Sequence, residues 1–331
     1  MPSWQARVLN TCTRTLMKPL MRFGSVDSMR SMTATFDEQG EKNLPEDINA
    51  RLVSKADYEG EWVRIKGKRA RKTLLYFPGG GFVMRTRTQH KAFVARICRA
   101  ANSKALVVHY RLAPEVPFPG GLEDCLAAYH DLLKQGIDPA EITLAGDSAG
   151  GGLVLSTLLA LRDEGTALPA NAAVLSPLAD MTHSGESRKY NARIDPMLPT
   201  HRASAMHEVY VGNALPEDRF VSPIFADFDG FPPLLGQVGS TEILLDDTVR
   251  AAAKAEQAGV PFYLEIWDEM PHVFQIFSVL PESQIAIERI AEFINSGQLD
   301  PLPEQYGNSE SKKRKKARRR RAPRARAATA H

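Results

Sequence analysis

The segment Gly146-Asp147-Ser148-Ala149-Gly150 has the spacing G-x-S-x-G, with a serine between two glycines. It follows an apolar segment over residues 142–145 and precedes an apolar helical pattern over 151–161. A turn that joins a strand to a helix this sharply needs glycine on both sides of the serine, because a side chain there would clash with the neighbouring backbone. The turn would present the Ser148 hydroxyl at the end of the strand, where it could act as a nucleophile.

A serine hydroxyl is a poor nucleophile until an adjacent imidazole accepts its proton, and an acid must hold that imidazole in the correct tautomer. His272 is the candidate base, because among the eight histidines it alone lies just beyond the last predicted strand. The expected chain order is serine, acid, histidine. Three acids follow the strand predicted over 234–238: Glu242, Asp246 and Asp247. The last two also suit the start of a helix, so this chemistry alone leaves the acid open.

A glycine-rich loop, Pro78-Gly-Gly-Gly-Phe82, follows the strand predicted over 73–77. Without side chains its backbone can approach a ligand closely. Gly80 and Gly81, with Ala149 at the start of the helix after the serine, are therefore the candidate amide donors to an oxyanion. A phosphate loop would need a Lys-Ser/Thr ending or G-x-G-x-x-G spacing, and this sequence has neither.

The elements that must position these residues alternate between apolar segments and helical patterns, which predicts a mostly parallel sheet with helices on both faces. The predicted strands cover 62–65, 73–77, 105–109, 142–145, 172–175, 234–238 and 262–267. The predicted helices lie near 89–101, 121–135, 149–163, 246–258 and 282–296. Between residues 180 and 223 the alternation lapses, and we expect helices above the sheet there.

The charge is divided unevenly along the 331 residues. Residues 312–326 contain eleven Lys or Arg and no acid, whereas the rest of the chain has 31 basic residues against 39 acidic ones. A nucleic-acid-binding fold would carry its basic patch on the folded body. We therefore expect an acidic enzyme body with a basic tail over 301–331 that is disordered and binds no specific nucleic acid.

The N-terminal residues have an amphipathic helical pattern, in which seven large apolar side chains recur largely at spacings of three and four. They are Trp4, Val8, Leu9, Leu16, Met17, Leu20 and Met21. Pro19 should kink or end this helix. We expect the helix to pack on its own protein, with a membrane-surface helix as the alternative. Interspersed basic residues leave no signal peptide and no membrane-spanning stretch. Three cysteines without metal-type spacing favour a reducing, cytoplasmic setting.

Together these motifs resemble the hormone-sensitive-lipase-like (bacterial type IV) carboxylesterases, whose pattern is HGGG, YRLAPE, GDSAG, DPxL, an acid motif and a histidine. The matching segments lie within residues 60–297 and are 110–115 (YRLAPE), 146–150 (GDSAG), 195–198 (DPML) and 272–274 (HVF). The resemblance implies an α/β-hydrolase fold with a helical cap, built from the N-terminal segment and an insert near 183–222. The N-terminal helix then becomes a lid that lines the acyl pocket.

The resemblance also bears on the acid and on the glycine loop. Alignment with the family's acid motif puts Glu242 in the position of the acid, with Asp246 as the fallback. Pro78 stands where the family has the histidine of HGGG, which is thought to shape the oxyanion loop; the proline implies an altered loop rigidity and rate.

The domain division that follows is residues 1–45 as N-terminal cap helices, 46–300 as the catalytic core with its insert, and 301–331 as the tail. The expected function is hydrolysis of short- to medium-chain carboxylic esters by Ser148, Glu242 and His272, without cofactor or metal. The alternatives are an amidase or deacetylase on the same machinery, or a ligand-binding protein on this fold. The expected partner is a small-molecule ester, and a homo-oligomer is left open.

Overall fold

A twisted, mostly parallel sheet forms the centre of the computed structural model, which describes residues 1–23, 25–200 and 208–307. Within those residues the sheet has eight strands in the order β1-β2-β4-β3-β5-β6-β7-β8. Only the β1–β2 and β2–β4 pairs are antiparallel. The strands are β1 Ile48–Ser54, β2 Glu59–Ile65, β3 Lys72–Phe77, β4 Ser103–Val108, β5 Ile142–Asp147, β6 Asn171–Leu175, β7 Leu234–Gly239 and β8 Phe262–Trp267.

Helices cover both faces of the sheet, so that its central strands are buried on both sides as parallel strands generally are. The helices are α1 Trp4–Cys12, α2 Lys18–Phe23, α3 Val26–Glu41, α4 Arg87–Ala101, α5 Gly120–Lys134, α6 Ala149–Asp163, α7 Ser187–Tyr190, α8 Leu245–Gln257 and α9 Pro281–Ser296. Apolar side chains of α5, α6 and α8 form the core on one face, and those of α4 and α9 form it on the other.

The predicted strands and the five predicted core helices are confirmed to within three residues at each end. Strand β1 was not predicted. Its apolar residues Ile48, Ala50 and Leu52 alternate with polar ones over a short stretch only, and most of its side chains are exposed at the edge of the sheet. In the predicted insert, the described residues 183–200 and 208–222 add α7, further helical residues over 208–211 and no strand of the sheet, as expected from the lapse in alternation.

The N-terminal helix is interrupted where the sequence places a proline. Between α1 and α2 the residues Thr13–Met17 form a π-helical turn, and Pro19 is the second residue of α2. Proline lacks an N–H and its ring displaces the carbonyl four residues earlier, so the regular hydrogen-bond ladder cannot pass through this point. The chain continues in the helical direction, so Pro19 disturbs the helix without ending it. No helix among the described residues is long and apolar enough to cross a membrane.

The start of the predicted disordered tail is ordered instead. Tyr306 packs on Trp267 with ring centroids 5.5 Å apart, and its carbonyl accepts a hydrogen bond of 3.0 Å from the Asp268 amide. Gly307 forms a β-bridge with Trp267, and Leu302 packs in the same cluster. These contacts join segments about forty residues apart in the sequence. The composition of the tail alone therefore gives no sign of them. The basic run over 312–326 lies outside the described residues.

Candidate active site

The G-x-S-x-G segment forms the turn between β5 and α6. Ser148 has φ 52° and ψ −120°, a strained conformation for a residue with a side chain, and it lies between the last residue of β5 and the first of α6. A Cβ atom at Gly150 would collide with the carbonyl of Phe77 on the neighbouring strand. The turn is held by the Ser148 amide, which donates to the Leu175 carbonyl at 2.8 Å. The sequence therefore folds into the strained turn that presents the serine.

His272 and Glu242 lie side by side in the loops after β8 and β7. Nδ1 of His272 is 2.7 Å from one carboxylate oxygen of Glu242, which is fully buried. Ser176 and the Gly239 amide donate to the other oxygen at 2.7 and 2.6 Å. Burial lowers the pKa of His272, but the hydrogen bond and charge of Glu242 outweigh it and raise that pKa above its ordinary value of 6.5.

The two aspartates that could have served as the acid have other partners. Asp246 accepts hydrogen bonds from the Ser187 amide at 2.8 Å and from the Tyr190 hydroxyl at 3.0 Å. Asp247 is buried and accepts from the Ala179 amide at 2.9 Å. Burial raises the pKa of the Asp247 carboxyl to about 6. Glu242, rather than either aspartate, is thus the acid in contact with the histidine.

The glycine-rich loop after β3 borders the same cavity as Ser148. Gly80 and Gly81 have φ values of 132° and 60°, a conformation that favours glycine. The Pro78 carbonyl accepts a hydrogen bond of 2.7 Å from the buried Tyr110 hydroxyl. Ala149, the third predicted amide donor, is the first residue of α6, where the amide hydrogens of a helix have no partner within the helix.

A buried network behind this loop was not identified from the sequence. Asp147 accepts hydrogen bonds from the Tyr76 hydroxyl at 2.6 Å and from the Gly79 amide at 3.0 Å, and Nε2 of His90 lies 3.2 Å away. Burial raises the pKa of Asp147, but the His90 charge and these hydrogen bonds outweigh it and lower the pKa. The residue before the nucleophile therefore holds the glycine loop through Gly79.

Nδ1 of His90 faces the Thr86 carbonyl at 2.8 Å. Burial lowers the pKa of this histidine, but the charge of Asp147 and its hydrogen bond outweigh it and raise the pKa above 6.5. Nothing in the sequence singles out His90, because Asp147 is 57 positions away.

A cavity of about 190 Å³ lies at the serine, and its wall is mainly apolar. Ser148, His272 and the three glycines of the loop border it, and so do the apolar side chains of Met21, Met84, Leu178, Met197, Leu198, Ile243 and Phe277. Met21 comes from α2, so the N-terminal helix contributes to the cavity wall. Within the described part of the chain, no group of three or more His, Cys, Asp or Glu side chains is placed to hold a metal ion.

The loop that carries Met197 and Leu198 is fixed by Asp195. This fully buried carboxylate accepts hydrogen bonds of 2.8 Å from the amides of Met197 and Leu198, and another of 2.8 Å from the Ile243 amide next to Glu242. The DPML segment found in the sequence therefore connects the cavity wall to the segment that carries the acid.

Comparison with known proteins places this geometry among hydrolases. A family model described as the alpha/beta hydrolase fold matches residues 74–276. An acetyl-hydrolase of Streptomyces hygroscopicus is 42% identical over 246 residues, which cover 74% of this chain and 82% of that protein. An esterase of Acinetobacter venetianus is 35% identical over 255 residues, which cover 76% and 84%.

The fold is also similar to solved structures. The crystal structure of an esterase from the bacterial hormone-sensitive lipase family has a TM-score of 0.82 and 40% sequence identity, and the match covers 89% of this chain and 99% of that one. The expected sheet, helices and family resemblance are thereby confirmed.

Proposed function

The chain belongs to the hormone-sensitive-lipase family of α/β hydrolases and is a carboxylic ester hydrolase, and on that premise we propose that Ser148, His272 and Glu242 are its catalytic triad. The observation that carries this proposal is the 2.7 Å contact between His272 Nδ1 and Glu242, in a cavity that His272 shares with Ser148. The contact leaves the other ring nitrogen, Nε2, to accept the serine proton.

In the proposed reaction, Ser148 Oγ attacks the ester carbonyl carbon while its proton passes to Nε2 of His272. The tetrahedral intermediate collapses, the C–O bond to the alcohol breaks, and His272 gives the proton to the leaving alcohol. Water then attacks the acyl-serine ester as His272 accepts its proton. The acid product leaves when that proton returns to Ser148. Throughout, Glu242 orients the imidazole and stabilises its cationic form.

We assign the oxyanion hole to the amides of Gly80, Gly81 and Ala149. Support comes from two sides of the nucleophile: the glycine loop borders the cavity, and Ala149 begins the helix that follows Ser148. Backbone amides fixed before the reaction stabilise the negative charge that develops on the carbonyl oxygen, without a cost of reorganisation.

The proposed substrates are esters with a short- to medium-length acyl chain. A mainly apolar cavity of about 190 Å³ has room for a small acyl group next to the serine. The acetyl-hydrolase name of the Streptomyces relative points the same way. Rates on p-nitrophenyl esters from acetate to palmitate would test this: kcat/KM should be highest for the short and medium chains, and a maximum at palmitate would contradict it.

The alternative is that the same catalytic residues hydrolyse amides, and rate measurements should test this as well. Matched p-nitrophenyl and p-nitroanilide substrates with the same acyl group separate the two, because only the bond to the leaving group differs. We expect a higher kcat/KM for the ester. A preference for the anilide would reverse the assignment.

The cytoplasmic setting stays a prediction. Its support is that Cys12, Cys98 and Cys125 are all free thiols, the last two buried. The division of the chain into cap, core and tail is likewise a prediction, apart from the start of the tail, where Leu302, Tyr306 and Gly307 contact the cluster around Trp267. The absence of specific nucleic-acid binding is also a prediction, and the oligomeric state is left open.

A further inference from the structure

The N-terminal helical segment, residues 4–23, contacts the body through an inner face with several polar attachments. Ala6 is buried in the cluster around Trp267. The Asn10 side chain donates to the Glu269 carbonyl at 2.9 Å. Further along, Arg14 donates to the Ile194 carbonyl at 2.9 Å, and Lys18 donates to the carbonyls of Ala192 and Asp195 at 3.0 and 2.6 Å. The segment is therefore anchored along its length.

The outer face of the same segment is apolar. Trp4, Leu16 and Phe23 are 71%, 70% and 77% exposed, values typical of charged surface residues. Val8 and Leu20 extend this set: positions 4, 8, 16 and 20 fall at four-residue spacing, which Cys12, also exposed, completes, and Phe23 follows three residues after Leu20. The seven apolar side chains of the N-terminal helix were expected to pack on the protein itself. Only Leu9, Met17 and Met21 do so, and they are partly buried. A helix on a globular protein normally turns its apolar side inwards, so this arrangement is reversed.

The charged side chains on the helical segment itself all have one sign. Arg7, Arg14 and Arg22 are exposed on the helical segment, and the first 26 residues contain no Asp or Glu. Arg193 and Ile194 are exposed on the adjoining loop, next to the carbonyl that Arg14 contacts. Large apolar side chains flanked by arginines match an anionic lipid surface, where the apolar groups enter the acyl boundary and the cations meet the headgroups.

We propose that this outer face binds an anionic lipid–water interface. The like charges disfavour the other obvious occupant, a second copy of the chain. In a two-fold dimer the same patch meets itself, which would bring the arginines of both copies together without acids from this segment to pair with them. The inference adds an interaction surface to the proposed function and holds whether or not the triad assignment is correct.

The outer face is also connected to the active-site cavity. A surface depression of about 340 Å³ lies between the helical segment and the loop that ends at Thr200. Phe23 of the outer face borders it, and Pro199 borders both this depression and the cavity that contains Ser148. Binding at the interface would therefore bring a lipid-dissolved ester close to the serine, a use that rests on the proposed function.

The test is binding of the full chain to vesicles of phosphatidylglycerol and phosphatidylcholine, measured by co-sedimentation. The basic run over 312–326 will also attract anionic vesicles, so binding is compared at low salt and at about 1 M NaCl, where the screening length is about 3 Å. We expect tighter binding with phosphatidylglycerol at low salt. At high salt the remaining binding should fall at least about tenfold in the triple variant Trp4→Ser, Leu16→Ser, Phe23→Ser, because the apolar contribution is lost.

Leu52→Ser is the matched control, because Leu52 is 65% exposed on the edge strand β1 and lies outside this face. It should bind vesicles as the wild type does, and the melting temperatures of all variants should agree. A second measurement leaves all apolar residues in place. The fluorescence of Trp4, obtained as the difference between the spectra of the wild type and Trp4→Phe, should shift to the blue when vesicles are added. Equal binding by the triple variant, or no shift, would overturn the proposal. So would a wild-type dimer that the triple variant converts to monomers, since a second copy would then cover the face.

Discussion

Glu242 contacts Nδ1 of His272 with one carboxylate oxygen and accepts hydrogen bonds from Ser176 and Gly239 with the other. Both oxygens of this buried group therefore have fixed partners, and its orientation is set before any substrate binds. A preorganised carboxylate can hold the imidazole in one tautomer and stabilise the cation formed during the reaction.

The first prediction compares two neighbouring acids. Glu242→Gln should lower kcat by about 10²- to 10⁴-fold, because the imidazole loses its charged partner. Asp246→Asn is the matched control and should have a much smaller effect, since Asp246 contacts Ser187 and Tyr190 instead. Steady-state kinetics on a p-nitrophenyl ester measure both. A larger loss in Asp246→Asn would mean that the acid is misassigned.

The second prediction concerns pH. His272 accepts a proton only when neutral, so kcat/KM should fall as the pH falls through the pKa of His272 in the free enzyme. Since Glu242 raises that pKa above 6.5, the midpoint should lie above 6.5. In Glu242→Gln the opposing effect of burial remains, and the midpoint should move to lower pH. An unchanged midpoint would show that Glu242 does not act on the titrating group.

The third prediction is that Ser148→Ala reduces ester hydrolysis at least about 10³-fold and abolishes labelling by a fluorophosphonate, because the attacking oxygen is lost. The circular dichroism spectrum should be unchanged, since the side chain makes no contribution to the core. Hydrolysis near the wild-type rate by the purified variant would exclude Ser148 as the nucleophile.

The fourth prediction concerns His90 as a residue that positions the glycine loop through Asp147. His90→Gln should lower kcat about tenfold with little change in KM, because the loop would hold the transition state less well than the substrate. Tyr58→Phe is a control that also removes a partly buried hydrogen bond, the one from its hydroxyl to Asp131, and neither of these residues borders the cavity. A rise in KM alone would argue against this role.

The same pair should make stability depend on pH. The raised pKa of His90 contributes stability that is complete below 6.5 and lost as the pH rises through the folded-state pKa. The lowered pKa of Asp147 contributes stability that is present above 3.8 and lost as the pH falls. At pH 5.5, which lies between the ordinary pKa values of about 4 and 6.5, both contributions are present, whereas at pH 9 the contribution of His90 is lost. The difference in melting temperature between wild type and His90→Gln should therefore be larger at pH 5.5 than at pH 9.

The fifth prediction locates the end of the folded body. A chain that ends at Gly307 should keep the melting temperature and kcat/KM of the full chain while losing most of its low-salt retention on heparin, because the basic run is removed. A chain that ends at Gln305 also loses Tyr306 from Trp267 and should be destabilised by about 1–3 kcal/mol. Thermal unfolding of both chains distinguishes these outcomes; equal melting temperatures would show that the Tyr306 contact contributes little.

The sheet and the position of the nucleophile could be predicted because their signals are local. A run of apolar residues reveals a buried strand, and the glycines around Ser148 reveal the turn. Strand β1 could not be predicted, because it has no buried face. The contact of Tyr306 with Trp267 could not be predicted either, because it joins segments that are distant in the sequence.

Two features of the site were hidden for a related reason. Periodicity shows that the N-terminal helix has an apolar stripe, but it does not show which way the stripe faces, and Trp4 and Leu16 turned out to be exposed. The contact between His90 and Asp147 exists only because the fold brings the first turn of α4 next to the last residue of β5, so neither residue carries a sign of it in its own neighbourhood.

The attachment of the N-terminal segment has a consequence for how this enzyme can change over evolutionary time. Arg14 and Lys18 bind carbonyl oxygens of Ala192, Ile194 and Asp195, and every residue type supplies such an oxygen. The side chains of Met197 and Leu198, which border the cavity, can be exchanged while the hydrogen bonds of Arg14 and Lys18 remain. Substrate preference can therefore diverge in a lineage through single substitutions at positions such as 197 and 198, while Met21 of the attached segment keeps its place in the cavity wall.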